Sequence, residues 1–344
     1  MVALWFGVLI LRVLAVVHSE AQLLLPTTFS ENLSVFHKGK LAVSEPIKVR
    51  NSAYSSPQQL LIVSPKEAGL YPVLLFIHGT MISNDDYSDL FLHIASHAFI
   101  VVAPQLFSVF NLPSQAQEIE MAATVANWLP SNLQHVLHER VNKQVEPNLD
   151  KLALSGHSRG GKSAFALALG LSKTKLSLKI SALIGVDPVE GRNKNKRTRP
   201  YVLTYEPNSF NLSIPVTIIG TGLGNHTKLL NPACAPNGVN HQEFFNECNK
   251  ECSHFVIMEY GHMQMLNDVL DALAISMSRV CASKRGSNSI MRRTLGGVMV
   301  AFLGAYFGDE GGQYFAILDN PSLAPTKLYA NNKGILGLAP SYAL

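Results

Sequence analysis

Residues 152–170, "LALSGHSRGGKSAFALALG", carry the reading that decides the fold. An apolar run ends at Ser155, glycines bracket a serine, and an alanine-rich stretch with helical spacing follows. Gly156-His157-Ser158-Arg159-Gly160 fits the pattern G-x-S-x-G in the context that gives the pattern meaning, a strand before it and a helix after it. The chemistry wants glycine two positions before and two after the serine because the bend is sharp, and side chains there would strike the neighbouring strand and helix. Such a bend lifts the Ser158 hydroxyl clear of the sheet edge, where it can act as a nucleophile. The pentapeptide alone would also suit a serine in an ordinary strand-to-helix turn; the flanking elements favour the nucleophile.

Working outward, apolar β-branched runs alternate with helical periods, which is the pattern of a sheet with crossover helices, an α/β class. Candidate strands are residues 58–65, 72–79, 99–105, 151–156, 181–188, 215–222 and 254–262. Their near-continuous apolar character suits strands covered on both faces. Between them, helix spacing runs from Asp85, a candidate N-cap, from Ala116 to Leu129, and from Ser163, with two later helices near 265–280 and 290–307. Neither a repeat nor a low-complexity linker interrupts the chain. Its 344 residues, 47% of them apolar, can bury one substantial core. The expected organisation is a signal segment at 1–19, a catalytic domain at 20–307, and an extension outside the core at 308–344, where Gly, Ala and Pro accumulate without periodicity.

A serine hydroxyl needs a base to take its proton, and the base needs a carboxylate to fix its tautomer, in the chain order Ser, Asp or Glu, His. His262 directly follows "FVIMEYG", the last apolar run, and ranks ahead of His254, which opens that run, and of His241 in the cysteine-bearing loop. For the acid, the segment before the last strand reads "PVTIIGTGLGNHT" and holds no carboxylate. One strand earlier, "SALIGVDPVEG" places Asp187 just past an apolar run that Pro188 stops, so Asp187 is the choice and Glu190 the second candidate. The developing oxyanion needs two donors: the Arg159 N–H after the nucleophile and the Thr80 N–H after "FIHG". His78 is read as an orienting residue.

The first residues, "MVALWFGVLILRVLAVVHSEAQ", are apolar, broken by Arg12 and closed by small residues, and read as a secretory signal with cleavage near Ser19. Sequons at Asn32, Asn211 and Asn225 would then be glycosylation acceptors. The four cysteines allow three pairings, and Cys248-x3-Cys252 lacks the adjacent histidines of a metal site. A net charge of +4 on a chain with 15% charged residues gives no electrostatic footprint for nucleic acid. The one basic run, "GRNKNKRTR" at 191–199, reads as a solvated loop. The partner expected is therefore small and uncharged or apolar.

The elbow segment, together with "SALIGVDPVEG", "SFNLSIPVTIIGTGLG", "CAPNGVNHQEFFNEC" and "MRRTLGGVMVAFLGAY", resembles the plant chlorophyllases. The resemblance spans roughly residues 30 to 307, and Gly-His-Ser-Arg-Gly-Gly combined with Asn240-His241 is far more specific than G-x-S-x-G. It implies an α/β-hydrolase fold, with a mostly parallel central sheet and helices on both faces. It implies cleavage of the phytyl ester of chlorophyll to chlorophyllide and phytol, and supports Ser158, Asp187 and His262 as the triad. No cofactor and no catalytic metal is implied, the magnesium belonging to the substrate. Contact with a membrane surface and the oligomeric state stay open. Aromatic residues in 106–113 would either line a phytyl channel or pack on the core. A general lipase or carboxylesterase, or a non-catalytic receptor on the same fold, are the competing functions. The substrate favours a chloroplast, whereas the leader, sequons and cysteines favour the endoplasmic reticulum or vacuole.

Overall fold

The computed structural model of the chain describes residues 33–50, 53–108, 111–229, 231–270, 272–308 and 311–335. Among these, nine strands form one sheet in the order β1-β2-β4-β3-β5-β6-β9-β10-β11. They are β1 Ile47–Val49, β2 Gln59–Val63, β3 Gly69–Ile77, β4 Ile100–Gln105, β5 Val145–His157, β6 Ala182–Val186, β9 Val216–Thr221, β10 Cys252–Ile257 and β11 Leu328–Lys333. A separate hairpin joins β7 Gly191–Asn193 to β8 Lys196–Arg197. The central strands from β4 to β10 are parallel, and antiparallel pairings of β1 with β2, β2 with β4 and β11 with β10 close the two margins. This is the α/β-hydrolase arrangement.

Strand β3 shows why the central runs are apolar throughout. Leu74 and Phe76 join one core cluster with Phe91, Leu295 and Phe302, while Val73, Leu75 and Ile77 join another with Leu129, Leu133 and Phe165. Alternate side chains thus face opposite sides of a sheet that is covered on both. Helices α1 Ser88–Ala95, α6 Ser289–Phe307 and α7 Gly312–Asp319 supply one layer; α2 Gln115–Arg140, α3 Arg159–Ala168 and α4 His241–Glu247 supply the other. Helix α5 spans Ala272–Val280.

Ser114 and Gln117 form a reciprocal capping box on α2, which runs past the expected end at Leu129 because Pro130 is accommodated inside it. Asp85 is not a cap. Ser83 caps a short 3₁₀ turn, Asn84–Tyr87, that leads into α1.

The stretch after Gly308 departs most from its reading as an extension outside the core. Helix α7 buries Tyr314 and Ile317, one turn apart, and β11 pairs with β10 along its whole length, from Leu328 opposite Ile257 to Lys333 opposite Cys252. Without β11, β10 would leave a row of unpaired backbone groups at the sheet margin. The basic run at 191–199 is the β7–β8 hairpin rather than a plain loop. Cys234 pairs with Cys281 and Cys248 with Cys252. Asn211 is exposed, whereas the Asn225 amide is half-buried and donates to Asn237 Oδ1 at 2.9 Å. Asn32 and the signal segment at 1–19 lie outside the described residues.

Candidate active site

Parallel strands deliver their C-terminal ends to one margin of the sheet, and the chain uses five of those ends here, those of β3, β5, β6, β9 and β10. Strand β5 ends at His157, and Ser158 sits at the bend with φ 57° and ψ −122°, a conformation that L-residues occupy rarely. The glycines permit the bend: a Cβ on Gly156 would lie 2.3 Å from the Gly160 carbonyl oxygen, and one on Gly160 would lie 2.3 Å from that of Ile77. Strand β6 leads into Asp187, also at positive φ (41°), and Pro188 ends the strand. The Ser158 N–H donates to Val186 O at 3.0 Å and the Asp187 N–H to Ile219 O at 2.7 Å, so the backbone of the sheet holds both bends. His262 lies in the turn that follows β10.

These bends bring three side chains into one hydrogen-bonded chain. Ser158 Oγ lies 2.8 Å from His262 Nε2, and His262 Nδ1 lies 2.8 Å from Asp187 Oδ2. Asp187 is fully buried and His262 nearly so. The carboxylate fixes the Nδ1–H tautomer, leaving Nε2 as acceptor toward the serine. Burial pushes the Asp187 carboxyl up. The hydrogen bond and charge of His262, the nearby His241 and the Thr221 hydroxyl outweigh burial and hold it down at about 2.

Thr221 explains the missing carboxylate at the end of β9. Its hydroxyl donates to Asp187 Oδ2 at 2.5 Å, so the strand that lacks an acid supplies a hydrogen bond to the acid next door. His241, at the start of α4, packs on Gly220 and donates to or accepts from His254 across 2.8 Å; neither is hydrogen-bonded to the serine. Glu190, the second candidate acid, has its carboxylate engaged by other partners: it accepts the N–H groups of Val202 and Leu203 and lies 3.6 Å from the buried Lys162 ammonium.

Ser158, Arg159, Thr80 and His262 line one pocket of about 460 Å³, within the range of small-molecule sites. Its wall includes Glu190, Gly191, Arg192, Lys196, Pro236, Met263 and the Cys234–Cys281 pair, so three residues of the basic hairpin border the pocket while Lys194 and Arg197 do not. Arg159 opens α3, where backbone N–H groups lack helical partners. Its side chain turns away, donating to Glu118 Oε2 at 2.5 Å and to Pro113 O at 2.8 Å. His78 is locked between Gly79 O, at 2.9 Å from Nδ1, and the Leu106 N–H, at 3.0 Å from Nε2, and burial lowers its pKa to about 4. A neutral, doubly bonded ring of this kind orients the loop that carries Thr80. Phe107 packs on His78 with ring centroids 4.4 Å apart, so the one described aromatic of 106–113 belongs to the core.

Sequence reasoning missed Tyr87, Glu118, Lys162 and Thr221. A lone lysine inside "GGKSAFALALG" and a lone acid among the apolar positions of α2 were the available signals, because a charge on a buried face must find a partner.

The sheet order and the bend at Ser158 place the chain among α/β-hydrolases. The family model described as chlorophyllase matches residues 31–333. The chain is 59% identical to chlorophyllase type 0 of Chenopodium album, over 97% of this chain and 98% of that one. It is 48% identical to chlorophyllase-2 of Arabidopsis thaliana, over 74% and 80% of the two chains. To the protein of Citrus unshiu named chlorophyllase-1, chloroplastic, it is 43% identical over 88% and 89%. The chain belongs to the chlorophyllase family and is an enzyme of that type.

Proposed function

We propose that the protein hydrolyses the phytyl ester of chlorophyll, releasing chlorophyllide and phytol, with Ser158 as nucleophile, His262 as general base and acid, and Asp187 as the residue that holds His262. The observation that carries this reading is the unbroken chain from Ser158 Oγ through His262 to Asp187 on the wall of the pocket. In the first half-reaction Ser158 Oγ attacks the ester carbonyl while its proton passes to His262 Nε2. The oxyanion forms toward the N–H groups of Arg159 and Thr80. Collapse breaks the bond to the phytyl oxygen, which takes the proton from His262 and leaves as phytol. Water then gives a proton to His262 and attacks the acyl-serine; the bond from the acyl carbon to Ser158 Oγ breaks, Oγ takes the proton back from His262, and chlorophyllide leaves as the free acid, which ionises in water. Asp187 stays ionised throughout and stabilises the imidazolium.

Incubation with chlorophyll a, pheophytin a and a p-nitrophenyl ester in parallel, with pigment products resolved by chromatography, tests the substrate. Chlorophyllide from chlorophyll a supports the reading. Turnover of the p-nitrophenyl ester alone would assign a general carboxylesterase instead.

For the compartment, the two disulfides support an oxidising lumen. The word "chloroplastic" in the name of the Citrus unshiu relative favours the plastid. N-terminal sequencing of the mature protein with a glycosidase mobility shift separates the two: cleavage near Ser19 with a glycan at Asn211 supports secretion, and a different terminus without glycan supports the plastid.

A further inference from the structure

We propose that the sheet margin bearing the pocket is a lipid-docking face, fitted to a bilayer that carries anionic headgroups. Among the described residues the two most exposed large apolar side chains are Leu229, 94% accessible, and Val269, 87% accessible. They lie on the connections that leave β9 and β10, neighbouring parallel strands, at the end where the pocket opens. The same two connections supply Pro236 and Met263 to the pocket wall. Leu112, half exposed, lies between the same end of β4 and pocket-lining Gln115.

Single exposed apolar residues are ordinary on protein surfaces. Two features set these apart. Leu229 has φ 54°, a conformation that asparagine or glycine fills more readily than leucine, so the local backbone gives no reason for an apolar residue there. The β7–β8 hairpin and its exit, at the same margin, carry Arg192, Lys194, Lys196, Arg197 and Arg199 with no acid among them. The acid next to Val269, Asp268, is already held by Arg292 at 2.7 Å.

Protruding apolar tips flanked by cations match a peripheral lipid contact, in which each tip enters the acyl boundary separately and cations meet the headgroups. A protein partner would instead require a contiguous complementary surface. No helix among the described residues is long and apolar enough to cross a membrane, and this contact needs none. For its catalytic consequence, delivery of a lipid-dissolved ester to the pocket, the proposal rests on the function proposed above; the docking itself is measured apart from it.

The test is co-sedimentation of the full chain with phosphatidylcholine vesicles and with phosphatidylcholine–phosphatidylglycerol vesicles. The wild type is expected to sediment with the mixed vesicles and to be released by salt. The pair Leu229→Asn and Val269→Ser should weaken the partition at least about tenfold. The pair Lys194→Glu and Arg199→Glu should remove the preference for the anionic vesicles. Asparagine suits the backbone at 229, and thermal unfolding at the wild-type temperature excludes misfolding. Ser158→Ala, by contrast, should sediment as the wild type does. Both surface pairs should keep wild-type turnover of a water-soluble p-nitrophenyl ester, which separates loss of docking from loss of the site. Equal sedimentation of the wild type and the Leu229/Val269 pair, or no sedimentation of the wild type, overturns the proposal.

Discussion

The hydroxyl of Tyr87 and Nδ1 of His157 lie 2.8 Å apart, with both side chains fully buried between the elbow and the loop that follows β3. The same hydroxyl accepts the Gly79 N–H at 3.0 Å, one residue before Thr80, and the His157 ring packs 4.5 Å from that of His262. Burial keeps His157 neutral, well below the ordinary histidine range. Tyr87 therefore ties the Thr80 loop to the neighbour of Ser158. Replacing it by phenylalanine leaves the Gly79 N–H and the His157 nitrogen without their partner, which costs about 1–3 kcal/mol of stability. Tyr87→Phe is expected to lower kcat roughly tenfold, with KM within about twofold, because the donor moves relative to the oxyanion and not to the bound ester. Steady-state kinetics with urea unfolding checks both; a rise in KM at constant kcat would place Tyr87 in substrate binding.

His262→Ala and Asp187→Asn should each inactivate the enzyme, and neither should add much to Ser158→Ala. Residues that act as one unit do not contribute independently. Rates of all single and double variants on one pigment substrate test this. Multiplicative losses, or a fully active Asp187→Asn protein, would contradict a shared role.

Acid stability should carry the signature of Asp187. Its folded value of about 2 lies below the ordinary 3.8, so its contribution is complete above 3.8 and is lost as pH falls through about 2. That difference corresponds to roughly 2 kcal/mol. Urea unfolding at stepped pH should show this loss in the wild type, and Asp187→Asn should lack that part of the slope.

Glu118 anchors the side chain of Arg159 and accepts from Ser163 Oγ at 2.6 Å, all beneath the elbow. Glu118→Ala strips a mostly buried guanidinium of its partner and is expected to destabilise the fold by about 3–5 kcal/mol. Denaturant unfolding measures it directly, and a change below about 1 kcal/mol would mean that water replaces the carboxylate.

The placement of Ser158 and Asp187 was legible because each sits where an apolar run meets a residue that forces a bend, a glycine pair in one case and Pro188 in the other. His262 was legible from its place directly after the last apolar run. Strand β11, "LYANNK", was not, because a marginal strand buries only part of one face and its polar residues hide the alternation. Nor were Thr221 and Tyr87. Their roles depend on hydrogen bonds to residues 34 and 70 positions away, which no local period encodes. The hairpin at 191–197 was read by its charge, which gives no hint that Glu190 and Lys162 anchor its base against the pocket.

The most direct test of Ser158 as the nucleophile is the initial rate of chlorophyllide a release from chlorophyll a by the wild type and by Ser158→Ala at matched thermal stability. The variant is expected to lose about 10⁴- to 10⁶-fold in kcat, leaving only what binding and the oxyanion donors supply. Chlorophyllide release by the folded variant within about tenfold of the wild type would contradict it.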